Sequence, residues 1–214
     1  MRYGVGNGRR GLALAALLAG LVTGCAAGDG EGNGGSAAAE VAERGASVGA
    51  AGSACELPVT FDVAKAWKAK AVDAEAAQDV SEELADLADA FLRQGPVTMA
   101  CEIDAKPAGN IGFLRVWTGE PGDADARAVL EDFVADEQGA ARAKYRSFEA
   151  GEVSGSEVEY VTPGGGKETK KAHALAVTTP DGPVVLHLGG LDNEEHEAML
   201  PAYELAKTTL RTTG

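Results

Sequence analysis

The chain has 214 residues, 33 acids against 19 lysines and arginines, a formal charge of −14, three cysteines and 5% aromatics. That length suits one modest domain with extensions, and it leaves too small a core per lobe for a two-lobed solute-binding protein. The acidic balance argues against nucleic acid as a partner, since affinity for it comes from basic groups displacing counterions from phosphates, and against a polybasic membrane patch.

The first segment carries Arg2, Arg9 and Arg10, then the apolar run LALAALLAGLV over residues 12 to 22, then Thr23-Gly24-Cys25. A charged stretch, a short apolar stretch and small residues before a cleavage point make a signal peptide over residues 1 to 24. The run is too short to cross a bilayer core, which takes about 20 helical residues. Val22-Thr23-Gly24-Cys25 resembles the bacterial lipobox. The resemblance implies cleavage after Gly24 and a diacylglyceryl thioether on Cys25, with a membrane attachment that one acyl chain alone would not hold. Arg9-Arg10-Gly11-Leu12 also looks like a twin-arginine signal, but Gly8 and Ala13 depart from it, so the general secretory route is expected. The expected place is the outer face of the cytoplasmic membrane. Loss of residues 1 to 24 removes three arginines and no acid, taking the charge to −17.

Residues 25 to 54 are the lipidated cysteine followed by mostly Gly, Ala and Ser, without an aromatic or an aliphatic side chain larger than Val. Such a segment cannot bury enough apolar surface to offset the entropy of ordering, and it reads as a flexible tether spanning roughly 30 Å. Within it Asp29, Glu31, Asn33, Gly34 and Glu40 fall at calcium-loop spacing. Position 3 is usually Asp or Asn, position 8 is Ser36, and no entering helix fits, so solvated linker is the expectation and no metal or other cofactor is assigned.

Residues 55 to 214 are expected to fold. Val59, Phe61 and Val63 alternate as in a half-buried strand. Leu84, Leu87, Ala88 and Phe91 mark one face of a helix over 82 to 94, capped by Asp79 with Glu82 and stopped by Gly95-Pro96. Val97, Met99, Cys101 and Ile103 predict a further strand, and residues 111 to 118 another that is apolar on both faces apart from Arg115. Asp123 is expected to cap a helix to about Tyr145 with Ala126, Val129, Leu130 and Phe133 as its buried stripe. Strands follow near 147–153, 157–162, 169–179 and 184–188, with Asp181-Gly182 as a hairpin turn, and a last helix runs through Ala202, Tyr203 and Ala206 to Leu210, with Pro201 in its first turn or at a kink. Hairpin-linked strands interrupted by helices give α+β, an antiparallel sheet with helices on its faces.

The opening VTFDVAKAW and the closing GPVVLHLGGLDNEEHEAMLPAYELAKTTL, with this layout, resemble actinobacterial lipoproteins of the LpqN type, similar in fold to Mog1 and the photosystem protein PsbP. Ala64-Lys65-Ala66-Trp67 stands where such families carry a Pro-x-Gly-Trp-like turn. The resemblance covers about residues 57 to 210 and implies an interaction or structural module with no catalytic residues.

With Cys25 acylated, Cys55 and Cys101 remain as an even pair in an exported domain, and a disulfide between them is expected. An Asp181-Gly182 turn would pair Ala176 with His187 and His173 with Gly190, putting His187 and His173 on opposite faces where they cannot share a metal. His196, in DNEEHE, reads as part of a solvated helix start. Gly164-Gly165-Gly166-Lys167 lacks the Ser or Thr of a phosphate loop and reads as a hairpin tip, while Lys167, Lys170 and Lys171 form a local positive cluster. No GxSxG surrounds any serine. Two functions compete: a non-catalytic module that docks an envelope protein, lipid or other component, and a small hydrolase or ligand carrier. A pocket between sheet and helices, walled by Trp67, Trp117 or His187, would mark the second.

Overall fold

The structure, a computed structural model, describes residues 40–74 and 91–213. The leader, Cys25, the calcium-loop residues Asp29, Glu31 and Asn33, and most of the helix expected over 82 to 94 lie outside them.

Alternation of side chains produces the main sheet. β5 (Val97–Asp104) buries every other residue, and it pairs with β6 (Gly112–Thr118), which pairs with β10 (Gly182–Gly190). The order is β3 (Lys68–Ala71), β5, β6, β10, β9 (Thr169–Thr179), β8 (Val153–Pro163) and β7 (Ala141–Ala150), with β4 (Arg93–Gln94) also on β5. A second sheet places β2 (Val59–Ala64) between β1 (Arg44–Val48) and β11 (Arg211–Thr212). The ladders of both sheets are antiparallel. Two described helices complete the α+β fold, α1 (Ala126–Asp136) and α2 (Asn193–Thr208).

The main sheet separates two cores. On one face Ile103, Leu114, Val116, Leu175, Leu186 and Leu188 pack against Phe61 of the small sheet and Met199 and Tyr203 of α2. On the other, Trp117, Val158, Tyr160, Ala174 and Val185 pack against Val129, Leu130, Phe133 and Val134 of α1. Cys55 and Cys101 are joined by a disulfide across 46 residues, tying the approach to β2 onto β5.

Four sequence expectations change. The tether does not extend to residue 54, because Arg44–Val48 is a strand on β2 and Val48 is buried. Its small residues permit this approach: a Cβ at Gly49, whose φ is 103°, would overlap the Val59 carbonyl oxygen, and one at Gly45 would lie 3.0 Å from that of Ala64. Arg44 and Ser47 then both reach Asp62, at 2.9 and 2.6 Å.

The helix expected from Asp123 to Tyr145 is shorter. Asp125 caps it, accepting from the amides of Arg127 and Ala128, and Gly139 at φ 75° turns the chain into β7. In the third change, the β9–β10 loop is Pro180-Asp181, so His187 faces Ala174 rather than Ala176. Thr179 Oγ1 donates to the Gly182 carbonyl and accepts from the Asp181 amide, fixing that turn. A shift of two residues preserves the pleat, so the faces assigned to His173 and His187 stand. Finally, α2 starts at its cap Asp192, in the DNEEHE segment read as a helix start, so that Pro201 lies inside the helix rather than in its first turn; Asp192, Asn193, Glu194 and Glu197 are exposed there, but His196 is fully buried rather than solvated. The Pro201 carbonyl, which accepts from the amide of Ala42, draws the chain before β1 onto the helix.

Candidate functional site

The α1 face of the main sheet is only partly covered. Beside α1 lies a cavity of about 1000 Å³ over β5, β6, β10 and β9. Its floor is low because small residues stand where strands would otherwise project bulk: the row across the sheet reads Phe113, Gly189, Ala172 and Tyr160. Gly189 is open above; a Cβ there would meet only His187 Cε1, at 3.5 Å. Met99, Phe113 and Trp117 form apolar walls, and Phe91, Ile111 and Leu191 add to them although they are 75%, 53% and 58% exposed. Three large apolar side chains left to solvent around one hollow form a patch of the kind that marks a binding region. The Leu191 amide donates to the Ile111 carbonyl at 3.0 Å, which holds those two residues together.

The polar groups come from the adjacent row, Glu102, Arg115, His187 and Ala174. Arg115 Nε donates to Glu102 at 2.9 Å and its guanidinium lies 4.8 Å from the Phe113 ring centroid. Its terminal nitrogens make no hydrogen bond among the described residues. His187 Nε2 is 3.1 Å from the Tyr160 hydroxyl, and the two rings stack. Burial lowers the His187 pKa to about 3, with Arg115 next and Lys170 also opposing its charge. Burial likewise raises that of Tyr160, so this pair holds its two protons at neutral pH. The indole N–H of Trp117 is buried without an acceptor among the described residues. Of the acids around the cavity, Asp136 accepts from the Gly95 amide and Glu137 from the Gln94 side chain.

The α2 face is filled and carries a separate polar network. His173 Nδ1 is 2.7 Å from His196 Nε2, with the rings stacked. Burial lowers both pKa values, that of His196 to about 4. Glu157, 1% exposed, holds Arg146 at 3.1 Å and Lys207 at 3.3 Å. A smaller hollow of about 530 Å³ includes Trp67 and Ala66 at the turn after β2.

Trp117 and His187 therefore stand in the main cavity and Trp67 in the smaller one. Gly164–Lys167 forms a hairpin tip, closed by the Gly164 amide donating to the Glu168 carbonyl. Lys170 and Lys171 both border the main cavity, and the Lys171 ammonium is committed to Glu197 of α2 at 2.6 Å. Sequence reading missed the roles of Glu102 and Tyr160. Arg115, the one charge in a strand apolar on both faces, was the available signal. No group of three metal-ligating side chains occurs among the described residues, and no described helix is long and apolar enough to cross a membrane.

The fold and the hollow define an antiparallel α+β domain with one filled and one partly open sheet face. Residues 26–210 match the family described as uncharacterised lipoprotein, and the chain belongs to that family. It is a lipoprotein, of the membrane-anchored, extracytoplasmic class. The chain is similar to the solution structure of cyanobacterial PsbP (CyanoP) from Synechocystis sp. PCC 6803, with 11% identity, a TM-score of 0.48, and coverage of 72% of this chain and 86% of that one. No curated protein matches.

Proposed function

We propose that this lipoprotein is a ligand carrier of the cell envelope, the second of the two alternatives rather than a docking module, with a non-catalytic site in the cavity beside α1 that Trp117 and His187 line. The observation carrying this reading is the concavity itself: a hollow of about 1000 Å³ with apolar walls and a few polar groups suits a small ligand, whereas a protein-docking face would be broad and flat. Binding rather than turnover is supported by the chemistry of His187, which is too weak a base near pH 7 to activate a nucleophile. The resemblance to LpqN-type lipoproteins supports a non-catalytic role as well. Export by the general secretory route and lipidation of Cys25 complete the proposal, placing the domain at the outer face of the cytoplasmic membrane.

Filling the floor tests the site. Gly189→Leu adds a side chain where the structure offers room. It should abolish binding of the neutral apolar dye Nile red while leaving the melting temperature unchanged or higher. Dye binding that survives the substitution overturns the cavity as the site. For the anchor, Cys25→Ala should move the protein from the membrane to the soluble fraction or leave it unprocessed, and unchanged fractionation and mobility would oppose lipidation there.

A further inference from the structure

We propose that the ligand is an anionic amphiphile, an apolar body bearing one carboxylate or phosphate, with the acidic group held between Arg115 and Lys170. The proposal rests on the reading of the cavity as a ligand site and adds the ligand's chemistry.

Unsatisfied groups in the hollow are donors. Trp117 lines the hollow with its ring, while its buried N–H has no acceptor among the described residues. Arg115 commits only Nε to Glu102, leaving the far edge of its guanidinium for a second acceptor. Lys170, half-buried, has no ion-pair partner among the described residues. Arg115 stands directly across the ladder from His187, and Lys170 lies on the same face of β9, four residues before Ala174, which faces His187 from the other side; both line the cavity. The acids facing the same space are already engaged: Glu102 by Arg115, Asp136 by the Gly95 amide and Glu137 by Gln94. On a chain of net charge −14, the spare guanidinium donors of Arg115 and the ammonium of Lys170 select for anions locally. The remaining surface fixes the other half of the ligand: Met99, Phe113, Phe91, Ile111 and Leu191 offer only apolar contact.

Calorimetric titration of the full chain distinguishes the possibilities, using dodecanoate, dodecyl phosphate and neutral monododecanoylglycerol below their micelle concentrations. Both anions should bind at least about tenfold more tightly than the neutral compound, the value of one charged hydrogen bond. The tighter of the two identifies carboxylate or phosphate. Lys170→Gln should weaken the anions about tenfold and leave the neutral compound unchanged. Equal binding of anion and neutral compound, both lost in Gly189→Leu, overturns the charge selection and leaves the cavity reading standing. Anion binding indifferent to Lys170→Gln also overturns it. Binding of all three that persists in Gly189→Leu overturns the cavity reading itself.

Discussion

Ala66 holds φ at 67°, where the Cβ of an L-residue meets the following carbonyl at a cost of about 1–2 kcal/mol. It is kept there by the turn after β2, in which the Trp67 amide donates to the Ala64 carbonyl at 3.1 Å. Ala66→Gly should therefore raise the urea midpoint by the equivalent of about 1 kcal/mol, the relief exceeding glycine's added chain entropy; a midpoint that falls would show the strain to be absent. The histidines give a second prediction. Burial depresses all three pKa values below the ordinary 6.5, so the unfolded chain binds more protons than the folded one once pH drops under that value. Their contribution is complete above pH 6.5 and declines through the folded values, about 4 for His196 and about 3 for His187. At pH 5 the fully buried His196 alone accounts for a loss of about 2 kcal/mol. Urea midpoints at pH 7.5 and 5 measure this, and His196→Gln should shrink the difference by about that amount while His187 and His173 keep the rest; equal midpoints in the unsubstituted protein would contradict it.

At the ends of elements, side chains set the boundaries. Asp125→Ala removes the cap of α1 and should cost about 1 kcal/mol in chemical unfolding. Replacing Cys55 and Cys101 by Ala should cost about 4 kcal/mol, since the bond closes a loop of 46 residues, and a loss under 1 kcal/mol would mean that the small sheet already holds that loop shut. Strands with one covered face were legible in the sequence because burial imposes a period of two, as in β5, where Val97, Met99, Cys101 and Ile103 are all buried. β7 was not legible. It lies at the sheet margin with most residues exposed, and ARAKY combines good helix formers; pairing with β8 overrides that local preference. β1 was hidden for the opposite reason, since the small residues that let it approach β2 are those of a linker. The cavity was visible only through Trp117, His187 and the solitary Arg115, because its shape depends on register: Gly189 lies between Phe113 and Ala172 only once three strands are aligned.

Across the molecule, Glu157 links β7, β8 and α2 through Arg146 and Lys207. A carboxylate this deep contributes through its partners, but Lys207 also holds Glu204 at 2.7 Å, so Glu157→Ala leaves Lys207 paired and should cost about 2 kcal/mol, whereas Glu157→Leu with Lys207→Met also takes the partner from Glu204 and should cost more. Chemical denaturation of the two variants separates these outcomes, and equal losses would show that packing rather than charge governs the site. The position of β1 matters in a different way. With the anchor proposed at Cys25, the backbone from there to Arg44 can extend at most about 65 Å, against about 105 Å to Cys55, a shorter leash than composition suggests. That leash ends on a five-residue edge strand of the small sheet. Any tug transmitted from the lipid anchor loads the β1–β2 ladder, the Ala42–Pro201 hydrogen bond and the Arg44–Asp62 ion pair before it reaches the disulfide or the main sheet, which makes β1 the mechanical fuse of the protein.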